Sequence, residues 1–161
     1  MALSLPLLAM AAIGLPTIPT GVLPGQTLAI RNIDGNVTVR RATGREAVVS
    51  VTRHVIRGNG ELVQALLDTS GRDGITVCTV YLRDVGERRT DCNGSQSSDR
   101  RREPLDVEMI YDVQLPAGVD LNVTSVDGDV VVSGHSARVD LTTVDGDIRV
   151  EGRAPEKANN V

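Results

Sequence analysis

The chain has 161 residues, enough for one hydrophobic core of ordinary size. Its apolar side chains are almost all Val, Leu, Ile and Ala, with no Phe, no Trp and two Tyr, which implies an interior narrower than the roughly 10 Å gap of an aromatic-filled β-sandwich. The net charge of -4, with basic residues scattered among acidic ones, excludes the basic stripe on which nucleic-acid binding depends.

Met1 to Pro16 carries no charge, is rich in Leu, Ala and Met, and contains the small-x-small sequence Ala9-Met10-Ala11. Pro6, Gly14 and Pro16 interrupt it, and it is shorter than the roughly 20 apolar residues that span a bilayer, so residues 1–20 read as a signal peptide or apolar leader and no transmembrane helix is predicted. No Lys or Arg precedes the apolar run, which departs from the usual export signal. Residues 21–152 then read as a single β-rich domain. Leu28 to Val39 forms a strand, an Asp-Gly turn and a second strand, and Ala47, Val49 and Val51 alternate as a third. Glu61 to Asp68 fits a short helix, with Leu62, Ala65 and Leu66 on one side, or an irregular strand. Ile75, Val77, Thr79 and Tyr81 alternate again. Residues 83–104 are charged and rich in Gly, Ser and Asp, and form a long exposed loop, within which the basic run Arg100, Arg101, Arg102 reads as solvated. Val107, Met109, Tyr111, Val113 and Leu115 give the cleanest alternation in the chain, and Pro116-Ala117-Gly118 turns it. Residues 153–161 form a polar tail that either folds over an open sheet edge or marks the truncated end of a longer array.

Internal repetition is the strongest signal. Leu28 to Val39, Leu121 to Val132 and Val139 to Val150 align without gaps. Five positions are aliphatic in all three: Leu28/Leu121/Val139, Ile30/Val123/Leu141, Ile33/Val126/Val144, Val37/Val130/Ile148 and Val39/Val132/Val150. Asp-Gly supplies the turn in each copy because glycine adopts positive φ without steric cost. The expected architecture is all-β, a β-solenoid or β-helix-like stack of short strands in which all five positions point into one aliphatic column.

Cys78 in a strand and Cys92 in the loop agree with export, and a disulfide between them would contribute about 3 kcal/mol on the chain-entropy estimate. In-register stacking would bring Asp127 near Asp145 and Asp129 near Asp147, about 4.8 Å apart. Two readings follow: a metal site, with calcium or a cationic partner held on the acidic ladder, or turn-forming aspartates that bond nearby backbone N–H groups and need no cofactor. Ser133-Gly134-His135-Ser136 places hydroxyls beside an imidazole but reads as a polar corner, and His54 and His135 are too isolated to be convincing zinc ligands. No catalytic motif is present, so the chain is not expected to be an enzyme.

Ile33-Asp34-Gly35-Asn36-Val37, the segment Tyr111-Asp112-Val113-Gln114-Leu115-Pro116-Ala117-Gly118, and the tandem Val126-Asp127-Gly128-Asp129-Val130 and Val144-Asp145-Gly146-Asp147-Ile148 together resemble the bacterial putative adhesin family, over about Leu28 to Gly152. The resemblance implies an exported β-solenoid domain with no catalytic residues, lying in the periplasm or at the cell surface. Two functions remain open: a binding or adhesion module for an envelope protein or glycan, or a structural or envelope-stress accessory without a dedicated ligand.

Overall fold

The computed structural model describes residues 17–93, 104–135, 137–152 and 157–160. Their strands are β1 (Ile18–Pro19), β2 (Thr27–Arg31), β3 (Val37–Arg41), β4 (Val48–Arg57), β5 (Val63–Asp68), β6 (Gly74–Tyr81), β7 (Asp106–Leu115), β8 (Asp120–Asp127), β9 (Val130–Ser133), β10 (Val139–Asp145), β11 (Ile148–Glu151) and β12 (Lys157–Asn160). Among the described residues there is no α-helix, and one 3-10 turn spans Gly60–Leu62. The strands form two mixed six-stranded sheets, ordered β1-β4-β7-β3-β9-β11 and β12-β10-β8-β2-β6-β5.

The three aligned segments become β2-β3, β8-β9 and β10-β11, each crossing from the second sheet to the first through its Asp-Gly turn. Like strands of successive segments pair parallel and in register. Leu121 lies between Leu28 and Val139, and Val130 lies between Val37 and Ile148. Leu28, Ile30, Val37, Val39, Leu121, Val123, Val130, Val132, Val139 and Leu141 are all buried in one cluster, and Ile148 and Val150 are half-buried against it. Each such burial contributes roughly 1.5–3 kcal/mol, against roughly 1–2 kcal/mol per residue for backbone ordering, so a single segment gains little until its neighbour covers it.

The middle aliphatic position departs from expectation. Val126 and Val144 are 45% and 51% exposed, and Ile33 is only half-buried. The strand simply continues to Asp127, and Val126 stands three residues beyond the inward Val123, an odd step that places it on the outer face. The inward position is the residue before it. Asn32, Ser125 and Thr143 therefore fill the inside of the corner, and all three are buried.

Around the repeats the chain is less regular. β4 pairs antiparallel with β7, and β5 pairs antiparallel with β6. Glu61 to Asp68 is thus the irregular-strand alternative, with a 3-10 turn leading into β5. Residues assigned to the leader belong partly to the fold, since Ile18 and Pro19 pair with Val49 and Val48 and the Thr20 hydroxyl donates to the Ala47 carbonyl at 3.0 Å. Within residues 153–161, β12 pairs parallel with Asp140 to Thr143 of β10.

The turns stack as closely as the strands. Gly35, Gly128 and Gly146 have φ of 106°, 123° and 132°. A Cβ on Gly128 would lie 2.4 Å from the Gly35 carbonyl oxygen, and one on Gly146 would lie 2.4 Å from that of Gly128. Both the angle and the approach require glycine. Gly128→Ala is expected to cost roughly 3 kcal/mol or more, through backbone strain together with the forced separation of adjacent turns. Urea unfolding followed by circular dichroism measures it, and Gly44→Ala, where a Cβ meets nothing within 4 Å, serves as the neutral control.

Candidate functional site

The stacked turns make a ridge along one side of the molecule. Asp34 bridges Asp127, and Asp127 pairs with Asp145, so the first acid of each turn lines up with the next. The third turn position makes a second ladder: Asn36 Oδ1 accepts from the Asp129 N–H at 2.9 Å, and Asp129 Oδ1 accepts from the Asp147 N–H at 2.9 Å. The structure therefore brings Asp127 beside Asp145 and Asp129 beside Asp147, and it uses the Asp129 carboxylate to tie one turn to the following one. Among the described residues no group of three or more His, Cys, Asp or Glu side chains is arranged to hold a metal ion. Partial burial pushes the Asp34 carboxyl above its ordinary value, helped by the negative charges of Asp127, Glu108 and Asp106 and opposed by the Gly35 N–H. Val126 and Val144 stand beside these acids, facing solvent.

Behind the ridge lies a buried polar network that the hydrophobic pattern does not reveal. Asn32 Nδ2 donates to the carbonyls of Gly35 (2.6 Å), Met109 (2.9 Å) and Asp34 (3.2 Å). Its Oδ1 accepts from the Thr79 hydroxyl at 2.8 Å, and since that hydroxyl has one proton, the Tyr111 hydroxyl, 2.8 Å away, is the donor to Thr79. Burial drives the Tyr111 phenol well above its ordinary pKa, so it stays protonated and available as that donor. A sequence signal for this network did exist: Asn32 sits in phase with Leu28 and Ile30, and a polar residue on an inward phase must find partners.

The second face of β6 is covered by the start of the long loop. Cys78 and Cys92 form a disulfide with a Cα–Cα distance of 6.0 Å, and together with Val80 and Leu82 they make a small separate cluster. Asp68 anchors the same loop, accepting from the Cys92 N–H at 2.9 Å and from the Ser70 hydroxyl and N–H, and these bonds hold its carboxyl below the ordinary value. Arg100, Arg101, Arg102 and Ser136 lie outside the described residues.

The two histidines lie on different elements of the fold. His54 pairs with Glu108 at 3.0 Å across β4 and β7. His135 is buried at the corner between β9 and β10, where burial lowers its pKa against the opposing effects of a hydrogen bond to the Val119 backbone and the nearby Asp120. The Ser133 hydroxyl donates instead to the Val39 carbonyl at 3.4 Å, so no serine-histidine pair is assembled among the described residues. At the far end of the sheets a cleft of about 520 Å³ is lined by Ile18, Val51, Arg53, Gln64, Ala65 and Val85, with Glu61 beside them. Arg53 is already committed to the carbonyls of Gly60 and Val63.

No family model and no curated protein matches the chain. Among solved structures it is similar to the crystal structure of a "putative cell adhesion protein" from Clostridium sporogenes, with 5% identity and a TM-score of 0.46. That likeness covers 81% of this chain and 56% of the other, so the chain spans little more than half of that protein's length.

Two outcomes follow from this geometry. Asn32→Ala removes the side-chain donor from the buried Gly35 and Met109 carbonyls and is expected to destabilise by roughly 2–4 kcal/mol in urea unfolding. Asp34→Asn is expected to stabilise at pH 7. The folded state binds the Asp34 proton more tightly than the unfolded chain, so ionisation of this carboxyl works against folding above its raised pKa, and that penalty disappears as the pH falls below the ordinary value of 3.8. The gap between the urea midpoints of the variant and the parent should accordingly close between neutral pH and pH 3.

Proposed function

We propose that the chain is a non-enzymatic binding or adhesion module of the cell envelope, a β-solenoid that meets its partner through the turn ridge. The observation that carries this reading is the exposure of Val126 and Val144 on adjacent turns, where neither side chain contributes to the core. Solvent-facing valines repeated 18 residues apart beside a ladder of carboxylates make a surface of one composition over successive turns. An envelope protein or glycan presenting apolar patches flanked by cationic groups suits that surface. The disulfide supports an oxidising compartment, and with the apolar leader it favours the periplasm or the cell surface.

Affinity capture from solubilised envelope tests the proposal. The immobilised protein is expected to retain a partner saturably and at fixed stoichiometry. The double variant Val126→Thr/Val144→Thr, with unchanged circular dichroism and melting temperature, should bind it roughly tenfold or more weakly. A variant that captures the same partner equally well refutes the ridge as the contact surface. Absence of any saturable partner refutes the binding role and favours a structural accessory of the envelope.

A further inference from the structure

Beyond β6 the second sheet ends on β5, a strand from the interior of the chain whose far edge pairs with no other strand among the described residues. Phase along the strand decides which backbone groups reach that edge. The Leu82 N–H donates to the Leu62 carbonyl, so the even-numbered residues of β5 bond to β6, and Val63, Ala65 and Leu67 turn their N–H and C=O groups outward. Val63 is already provided for: its N–H donates to the Gly60 carbonyl, and its own carbonyl accepts from Arg53 Nη1 at 3.1 Å. The outward groups of Ala65 and Leu67 have no partner among the described residues. Side chains at this edge are also incompletely covered. Ala65 and Leu67 stand opposite Thr79 and Val77, which are fully buried, yet both remain half-buried. Ala65 lines the cleft of about 520 Å³ together with Ile18 and Val51, so the small side chain at the edge borders apolar space between the sheets.

We infer that two copies of this chain pair antiparallel through β5, about a two-fold axis that passes between Leu66 and the partner's Leu66. In this register Ala65 exchanges both of its hydrogen bonds with the partner's Leu67, and Leu67 exchanges both of its own with the partner's Ala65, so the unpartnered groups are used and no others. Moving the axis by one residue sets Leu67 against the partner's Val63, whose groups are taken, or Ala65 against the partner's Thr69, which lies past the end of the strand. The side chains agree with the same register. On the inner face the small Ala65 meets the larger side chain of the partner's Leu67, which enters the apolar space beside Ile18 and Val51. On the outer face Leu66 meets the partner's Leu66 and Gln64 meets the partner's Asp68, so no carboxylate is set against another. A strand of another protein would satisfy the backbone groups, but a match of small to large in both directions about Leu66 is a property of this chain paired with itself. β5 carries neither proline nor lysine, the usual guards of an exposed edge.

Sedimentation equilibrium of the disulfide-bonded protein is expected to give twice the monomer mass. Ala65→Pro removes an N–H that faces away from β6, a position where an edge strand accommodates proline, and it should yield a folded monomer at the same concentration. In the unmodified protein, amide exchange at Ala65 and Leu67 should slow as concentration rises through the dimerisation range, a reading that does not depend on how the proline variant folds. A monomer throughout the micromolar range, a dimer that a folded Ala65→Pro variant leaves intact, or exchange at these two amides that is independent of concentration overturns the inference. None of these outcomes bears on Val126 or Val144, so this inference and the ridge fail separately.

Discussion

Close contact between successive Asp-Gly turns is the constraint on which the remaining structure depends. Gly128 and Gly146 each lie against the carbonyl of the turn glycine before them, and the Gly35 and Gly128 amides donate to the Asp127 and Asp145 carbonyls at 3.0 Å. Once the turns are fixed at this spacing, the strands on either side have no freedom of register. A slip of one residue would carry Leu121 and Val123 to the solvent face and would bring side-chain-bearing residues to a place where the backbones are too close for a Cβ. The aliphatic residues supply the driving force for stacking. The glycines decide where it can occur.

At the first turn the pattern meets a neighbour that is not a repeat. Asp34 and Asn36 accept backbone hydrogen bonds from Met109 and Tyr111, residues of the long strand β7, which passes the corner without turning. There the inward corner residue is Asn32, whose amide reaches the Met109 carbonyl across the junction. In the later segments, where one turn stacks on another, smaller hydroxyl residues occupy the same position, and the Thr143 hydroxyl satisfies itself at the Asp145 carbonyl at 3.3 Å. The choice of polar residue inside the corner thus follows from what lies next to each segment. Thr79 and Tyr111 extend the network to both sheets, which locks the irregular half of the molecule to the repeated half.

Much of this was legible in the sequence. Gapless alignment of the three segments was sufficient to give the parallel register, and the first two and last two aliphatic positions of each segment proved to face the core. The alternations at Ala47 to Val51, Ile75 to Tyr81 and Val107 to Leu115 appear as β4, β6 and β7. The middle position shows the limit of repetition as a guide to the core: a residue can recur at 18-residue intervals for reasons of surface as readily as of core, and the odd step from Val123 to Val126 places it outside. The Asn32 network was hidden for a different reason. Its partners Thr79 and Met109 are 47 and 77 residues away, and nothing local distinguishes an asparagine that satisfies distant carbonyls from one that shapes a turn.

The same two-residue period also divides the surface into parts with different uses. β6, next to the β5 edge of the second sheet, is buried on both faces where the disulfide-tied loop packs on its outer side. The outer face of β7 carries the pairs His54–Glu108, across to β4, and Arg40–Asp112, across to β3, and exposed charge pairs of this kind contribute little to stability. Aliphatic side chains reach solvent in repeated order on the turn ridge. They stand outside the core, so their chemistry can change without disturbing the stacked turns, whereas the glycines beneath them cannot be replaced without separating adjacent backbones.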